Sequence, residues 1–185
     1  MFKILITFIL LILSACSSNK YSAPENAEDL IGTKPTVILT RLDNGTQLSL
    51  SQYTGRPRVL LFWGTCCRGS KHAIKEMQEY ITDTLPSVLK EARRKKYGRK
   101  IDRPVFMAAN IDKTEQLDHV KEFINEFELY SIEQMFSGND IYDEAYTNLL
   151  GERLPSFYVF NRQGKLIQVT TDMDDVADTL AEILN

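Results

Sequence analysis

Two adjacent cysteines, Cys66 and Cys67, are the residues of this chain best placed to do chemistry. They follow Arg58-Val59-Leu60-Leu61-Phe62-Trp63, a run of strand length whose continuous apolar character predicts burial in the middle of a sheet. After Gly64-Thr65 and the cysteines the period changes: Ala73, Ile74, Met77, Tyr80 and Ile81 recur at steps of three and four. A helix therefore begins within a few residues of Cys67. A helix amino terminus presents unpaired N–H groups and the positive end of the dipole, and a thiolate set there ionises early. Arg68 adds a positive charge next door, and Ser70, three residues on, can donate a hydrogen bond to the sulfur. These are the ingredients of a reactive thiol.

The neighbouring residues have plainer readings beside the chemical ones. Cys66 as a small apolar side chain would pack inside. A disulfide between adjacent cysteines closes a strained, easily reduced ring. Adjacent thiolates also suit a soft ion such as Cu(I), with His72 and Met107 as conceivable helpers. His72 and His119 otherwise read as surface helix residues, and Phe62, Trp63 and Phe106 as core by strand position. Asp112 reads as a turn or helix-cap residue.

The elements that must hold this site follow from pattern. Val37–Thr40, the turn Asp43-Asn44-Gly45 and Thr46–Leu50 predict a hairpin. Pro86 is expected to kink or end the helix after the cysteines, with Val88, Leu89 and Ala92 on a second helical piece. Residues 104–109 form the next buried strand, and Val120, Phe123, Ile124 and Phe127 mark a helix face after Thr114. A short helix from Ile141 to Leu150 is expected to close at Gly151. Phe157–Phe160 and Lys165–Val169 make a second hairpin across Asn161-Arg162-Gln163-Gly164, and residues 174–184 form a final helix. The expected class is α/β, a mixed central sheet flanked by helices with an N-terminal β-hairpin extension.

The first residues look like a targeting segment. Met1-Phe2-Lys3 carries one positive charge, and Ile4–Leu13 is apolar except for Thr7, too short for a spanning helix of about 20 residues. Leu13-Ser14-Ala15-Cys16 resembles the lipobox of bacterial lipoproteins. The resemblance implies cleavage of residues 1–15 and lipidation of Cys16, with palmitate-like acyl chains holding the chain to a membrane. Residues 16–35 read as a polar, flexible tether, and 36–185 as the folded domain. The expected location is the bacterial cell envelope, facing the periplasm or the outside. Ser17 at the second mature position favours the outer membrane, by resemblance to enterobacterial lipoproteins.

Phe62-Trp63-Gly64-Thr65-Cys66-Cys67-Arg68-Gly69-Ser70 resembles the active-site segment of thioredoxin-fold proteins, above all the membrane-anchored TlpA/ResA-like group. That group shows Phe-Trp-Ala-x-Trp-Cys-x-x-Cys after a buried strand. The stretch from Asn44 to Pro57 resembles the group's preceding hairpin, and Leu154-Pro155-Ser156-Phe157-Tyr158-Val159-Phe160 its cis-proline loop. The resemblance places Cys67 as the nucleophile, Pro155 as the cis-proline facing it, and Leu154, Trp63 and Arg68 as substrate contacts. Two positions depart from the pattern. Ser70 stands where the resolving cysteine belongs, so a mixed disulfide has no second thiol there to release it. Cys66 stands where the group has tryptophan.

Three readings follow: monothiol thiol–disulfide exchange with envelope protein thiols or disulfides through Cys67, assisted by Cys66; a redox-inactive thioredoxin-fold binding or adaptor lipoprotein; and Cu(I) handling. No resident metal or cofactor is expected, because no paired Cys-x-x-Cys zinc pattern occurs. A net charge of −3 speaks against a general nucleic-acid binder. Residues 90–103, in an expected basic insertion at 83–103, carry +6, while the rest of the chain after residue 15 carries −10. That stretch reads either as a site for anionic lipid or an acidic partner, or as a solvated helix end.

Overall fold

A β-hairpin leads into the sheet that carries the cysteines. In the computed structural model, residues 25–96 and 101–185 are described; the expected signal, Cys16 and most of the tether lie outside them, as do residues 97–100. Strands β1 (Ile38–Thr40) and β2 (Gln47–Ser49) pair antiparallel, as the turn signal predicts. Gly45 takes the positive φ of 68° that this turn requires. The wholly buried strand β3 (Arg58–Trp63) follows. It lies beside β4 (Val105–Asn110), and β5 (Glu133–Phe136) lies beyond β4, all three parallel. On its other side β3 pairs antiparallel with β6 (Ser156–Phe160), which turns back into β7 (Leu166–Thr170). The order is β5-β4-β3-β6-β7, a mixed sheet.

Both faces are covered, which is why β3, β4 and β6 are apolar at nearly every position. On one face Val59, Leu61, Trp63, Phe106 and Ala108 meet helices α1 (Arg68–Glu79), α2 (Leu85–Lys95), α3 (Leu117–Glu126) and α5 (Met173–Leu184). On the other, Leu60, Phe62, Met107 and Tyr158 meet the hairpin, the N-terminal turn and α4 (Glu144–Asn148).

Three elements differ from the sequence expectation. Pro86 does not end the helix. Instead α1 runs into α2 through a wide turn at Tyr80–Thr84, in which the Leu85 N–H donates five residues back to the Tyr80 carbonyl. Proline cannot supply the ordinary bond to the carbonyl four residues before it, and the wider turn absorbs that loss. Residues 83–96 of the basic stretch therefore continue this helix, and Arg93, Arg94 and Lys95 sit at its carboxyl end, where cations complement the dipole.

Strand β5 carries no alternating signal, since only Met135 is fully buried. Its register comes from β4 on one side and from the Arg41–Met135 bridge on the other.

The short helix stops at Asn148, and Leu150, not Gly151, takes the positive φ (53°). Gly151 is required for another reason: a Cβ there would lie 2.1 Å from Tyr146 Cε2. Tyr146 is buried and meets Phe62 edge-on at 5.2 Å. Gly151→Ala is accordingly expected to destabilise the fold by about 1–3 kcal/mol, the usual cost of overpacking. A shifted urea midpoint at unchanged slope measures it.

Candidate functional site

The sheet register gathers four loops at one end. Trp63 pairs with Asn110, Asn110 with Phe136 and Phe62 with Ser156, so the carboxyl ends of β3, β4 and β5 and the start of β6 emerge together. The β3–α1 loop carries Cys66 and Cys67, and the loop before β6 carries Leu154 and Pro155. Open sheets place their reactive loops at such ends for this reason.

Cys67 is the N-cap of α1, with extended backbone (φ −94°, ψ 114°). Its sulfur accepts from the Ser70 N–H at 3.4 Å, and the thiol donates to the Leu154 carbonyl at 3.7 Å. The Leu154–Pro155 peptide is cis, as the resemblance implied. A Cβ built on Gly69 would lie 3.5 Å from Pro155 Cδ and 3.9 Å from the Cys67 sulfur. The first turn of α1 and the Pro155 loop thus face each other across a gap about one methyl group deep, with the sulfur at its edge.

The Cys67 thiol is held below its ordinary value. The largest cause is the Ser70 hydroxyl beside the sulfur; partial burial opposes it, and the amide N–H groups of Ser70 and Gly69 add to it. That hydroxyl is itself fully buried and meets full hydrogen-bond geometry with no group. Its position beside the sulfur therefore makes Cys67 its natural recipient. Ser70, read from sequence as a donor three residues on, is placed to be one through both its amide and its side chain.

Asp112 carries more than the turn or cap role that its sequence position suggests. It is buried, and its Oδ2 accepts from the Thr65 N–H at 2.8 Å, the Thr65 hydroxyl at 2.6 Å and the Asn110 amide at 3.0 Å. Asn110 returns the contact, its Oδ1 accepting from the Asp112 N–H at 2.9 Å. One carboxylate thus pins the loop that leads into Cys66 and Cys67. Gly64 fits beneath it, since a Cβ there would come within 3.1 Å of Asp112 Oδ1 and 3.3 Å of Leu154 Cδ1. The sequence signal was a polar pair, Asn110 and Asp112, at the end of an apolar strand.

Other expected site residues fall differently. Trp63 is fully buried and packs on Phe123 at 5.4 Å, so it supports the loop from below and touches no substrate; as the last residue of the central strand, its side chain points into the helical layer. Cys66 is exposed, not packed inside. Arg68 is exposed beside Cys67, and Leu154 and Pro155 are half-buried, which keeps all three open to a partner. His72 is exposed, its Nε2 3.1 Å from Glu76 Oε1, as a surface helix residue would be. Met107 lies in the closed middle of β4, on the sheet face opposite α1, and so cannot join the cysteines around a copper ion.

No protein-family model and no curated protein sequence matches the chain. Solved structures do match. The thioredoxin domain of a thiol-disulfide oxidoreductase from Bacteroides vulgatus is 18% identical, with a TM-score of 0.59 over 84% of this chain and 98% of that one. A thiol-disulfide oxidoreductase from Bacteroides fragilis is 18% identical, with a TM-score of 0.59, covering 80% and 97%. A secreted thiol-disulfide isomerase from Corynebacterium glutamicum is 16% identical, with a TM-score of 0.61, covering 82% and 85%. The fold is thioredoxin-like.

Proposed function

We propose that the protein is a membrane-anchored, thioredoxin-like lipoprotein that exchanges disulfides with envelope proteins through the single thiolate of Cys67. The observation that carries this reading is the setting of that sulfur. It caps α1, accepts from the Ser70 N–H, and lies against the cis Leu154–Pro155 loop with its thiol held below the ordinary range. In the forward step the Cys67 thiolate attacks one sulfur of a client disulfide. A Cys67–client disulfide forms, the client S–S bond breaks, and the second client sulfur leaves as a thiolate. Pro155 and Leu154 line the approach, and the Leu154 carbonyl and neighbouring amide groups can receive an extended client chain. Release needs another thiolate to attack the mixed disulfide, because a serine hydroxyl at position 70 cannot. The exposed Cys66, a further thiol of the client or a small thiol can serve. When a client thiol other than the one that departed attacks the client sulfur of the mixed disulfide, Cys67 leaves as a thiolate and the client disulfide is rearranged with no net oxidation.

The amino-terminal signal, lipidation of Cys16 and preference for the outer membrane belong to this proposal. The first two rest on the lipobox-like Leu13-Ser14-Ala15-Cys16, and the outer-membrane preference on Ser17. The buried Ser70 at the resolving position favours a second reading, a docking module of the same fold without redox turnover.

Alkylation across pH separates the two. With iodoacetamide and mass-spectrometric localisation, the rate at Cys67 is expected to reach half-maximum below about pH 8.5, the value of a free cysteine. Ser70→Ala removes the largest cause of the lowering, so the midpoint should move up. The sign for stability follows from the same shift. The thiolate's contribution is fully present above the unfolded value and is lost as pH falls through the lower folded one. A Cys67 that follows free cysteine leaves only the docking module.

A further inference from the structure

Beside the cysteine loop, α1 and α3 enclose a groove of ≈ 750 Å³. Resting on the exchange reading above, we propose that this groove receives an acidic, extended peptide segment of the client next to its reacting cysteine. The groove starts at Arg68 and Gly69, the residues that follow Cys67, and runs along α1 past Lys71 to Lys75. Its far wall is Phe123 and Phe127 of α3. Arg68, Lys71 and Lys75 make no ion pair among the described residues. Lys75 is instead held over the aromatic wall, its Nζ 3.1 Å from the centre of the Phe127 ring and 5.4 Å from that of Phe123. Two carboxylates reduce the field: Glu126 lines the groove, and Glu76 lies beside His72, its Oε1 3.1 Å from Nε2. Arg68, Lys71 and Lys75 outnumber them along the groove, in a chain whose net charge is −3.

A negative segment is the complementary occupant. The helices give two sides, and the groove opens at Gly69, which also borders the Cys67–Pro155 gap. Arg68 to Lys75 is seven residues, about 10 Å along a helix axis, which an extended chain covers in about three residues. Acidic side chains two to four positions from the client cysteine would therefore meet the cations while their aliphatic stems lie on the rings.

The test uses full-length protein with Cys16→Ser and Cys66→Ser, so that Cys67 is the sole thiol. The probes are cysteine peptides activated as 5-thio-2-nitrobenzoate disulfides, with glutamates or glutamines two to four residues from the cysteine, on either side. Attack by Cys67 forms the protein–peptide disulfide and releases coloured thionitrobenzoate. The better glutamate probe is expected to react about tenfold faster than its glutamine counterpart at low salt, and this ratio should shrink in high salt. Lys71→Gln with Lys75→Gln should bring the ratio to within about twofold. Equal rates, or a ratio untouched by the lysine variants, overturn the proposal. So does an equal gain with mercaptosuccinate, activated the same way, because a small anion then suffices.

A second arm is independent of exchange. A fluorescein-labelled, cysteine-free glutamate peptide is titrated into the Cys67→Ser variant and followed by anisotropy. Saturable binding that the lysine substitutions weaken supports the groove even if every activated probe is inert, an outcome that would remove the exchange reading alone. Binding no stronger than that of the glutamine peptide overturns it.

Discussion

Ser70→Cys is expected to turn a protein whose mixed disulfide waits for a thiol outside the first turn of α1 into one that releases its client from position 70. Ser70 is fully buried in the first turn of α1, and its amide N–H already reaches the Cys67 sulfur at 3.4 Å. A thiol on the same Cβ stands where the hydroxyl stands. In the mixed disulfide, the new thiolate attacks the Cys67 sulfur, the client leaves as a thiolate, and the protein retains an internal disulfide. Dithiothreitol then reduces that disulfide and closes the cycle. An oriented intramolecular group acts at an effective concentration far above that of a millimolar external thiol, so a gain on the order of 10² in turnover is a conservative expectation. Insulin reduction with dithiothreitol measures the turnover, and the lifetime of a trapped Cys67–client disulfide on non-reducing gels measures the step itself. An unchanged lifetime would mean that the helix start does not present position 70 to the sulfur, and the proposed mechanism of stalling would fall with it.

Asp112→Ala is expected to be the most damaging single polar substitution near the site. It leaves the Thr65 N–H, the Thr65 hydroxyl and the Asn110 amide without their shared acceptor, at the buried end of two central strands. Hydrogen bonds to a charged group contribute about 1.5–3 kcal/mol each, and buried donors left unpaired cost about 1–3 kcal/mol, so a loss of about 3 kcal/mol in unfolding free energy is expected. Thr65→Val removes only one donor and should cost about 1 kcal/mol. Asp112 touches no reacting atom; it positions the loop. The variant should therefore also slow alkylation of Cys67 at a fixed pH under conditions where the protein is still folded by circular dichroism. Normal Cys67 reactivity in a destabilised Asp112→Ala protein would show that the loop keeps its shape without the carboxylate, and the positioning role would be lost.

Much of the frame was legible along the chain. The buried runs at 59–63, 105–109 and 157–160, both hairpins, and the helices after Cys67 and after Asp172 sit where apolar period and turn residues place them. The misses have separate causes. Strand β5 has one fully buried residue and takes its register from neighbours. The continuity of α1 and α2 through Pro86 depends on a wide turn that no local propensity announces. Trp63 combines a residue type common at binding sites with a strand position that buries it, and packing against Phe123 decides between them. Cys66 has the reverse history: a side chain usually found inside lies exposed because the strand ends at Trp63 and the cysteine sits in the loop beyond it.

By itself the sequence determined that a cysteine would follow a buried strand and open a helix, with a serine one turn on. Both facts depend on residues within a few positions of each other, and local periodicity and helix-end chemistry act over that range. Only the tertiary structure decided that the sulfur faces the Leu154 carbonyl, 87 positions away, and that Asp112 holds Thr65 across 47. Such contacts close when parallel and antiparallel strands settle into register and bring distant loops to one end of the sheet. No pattern along the chain encodes a distance of that kind, because loop closure and packing, not neighbour preferences, select it.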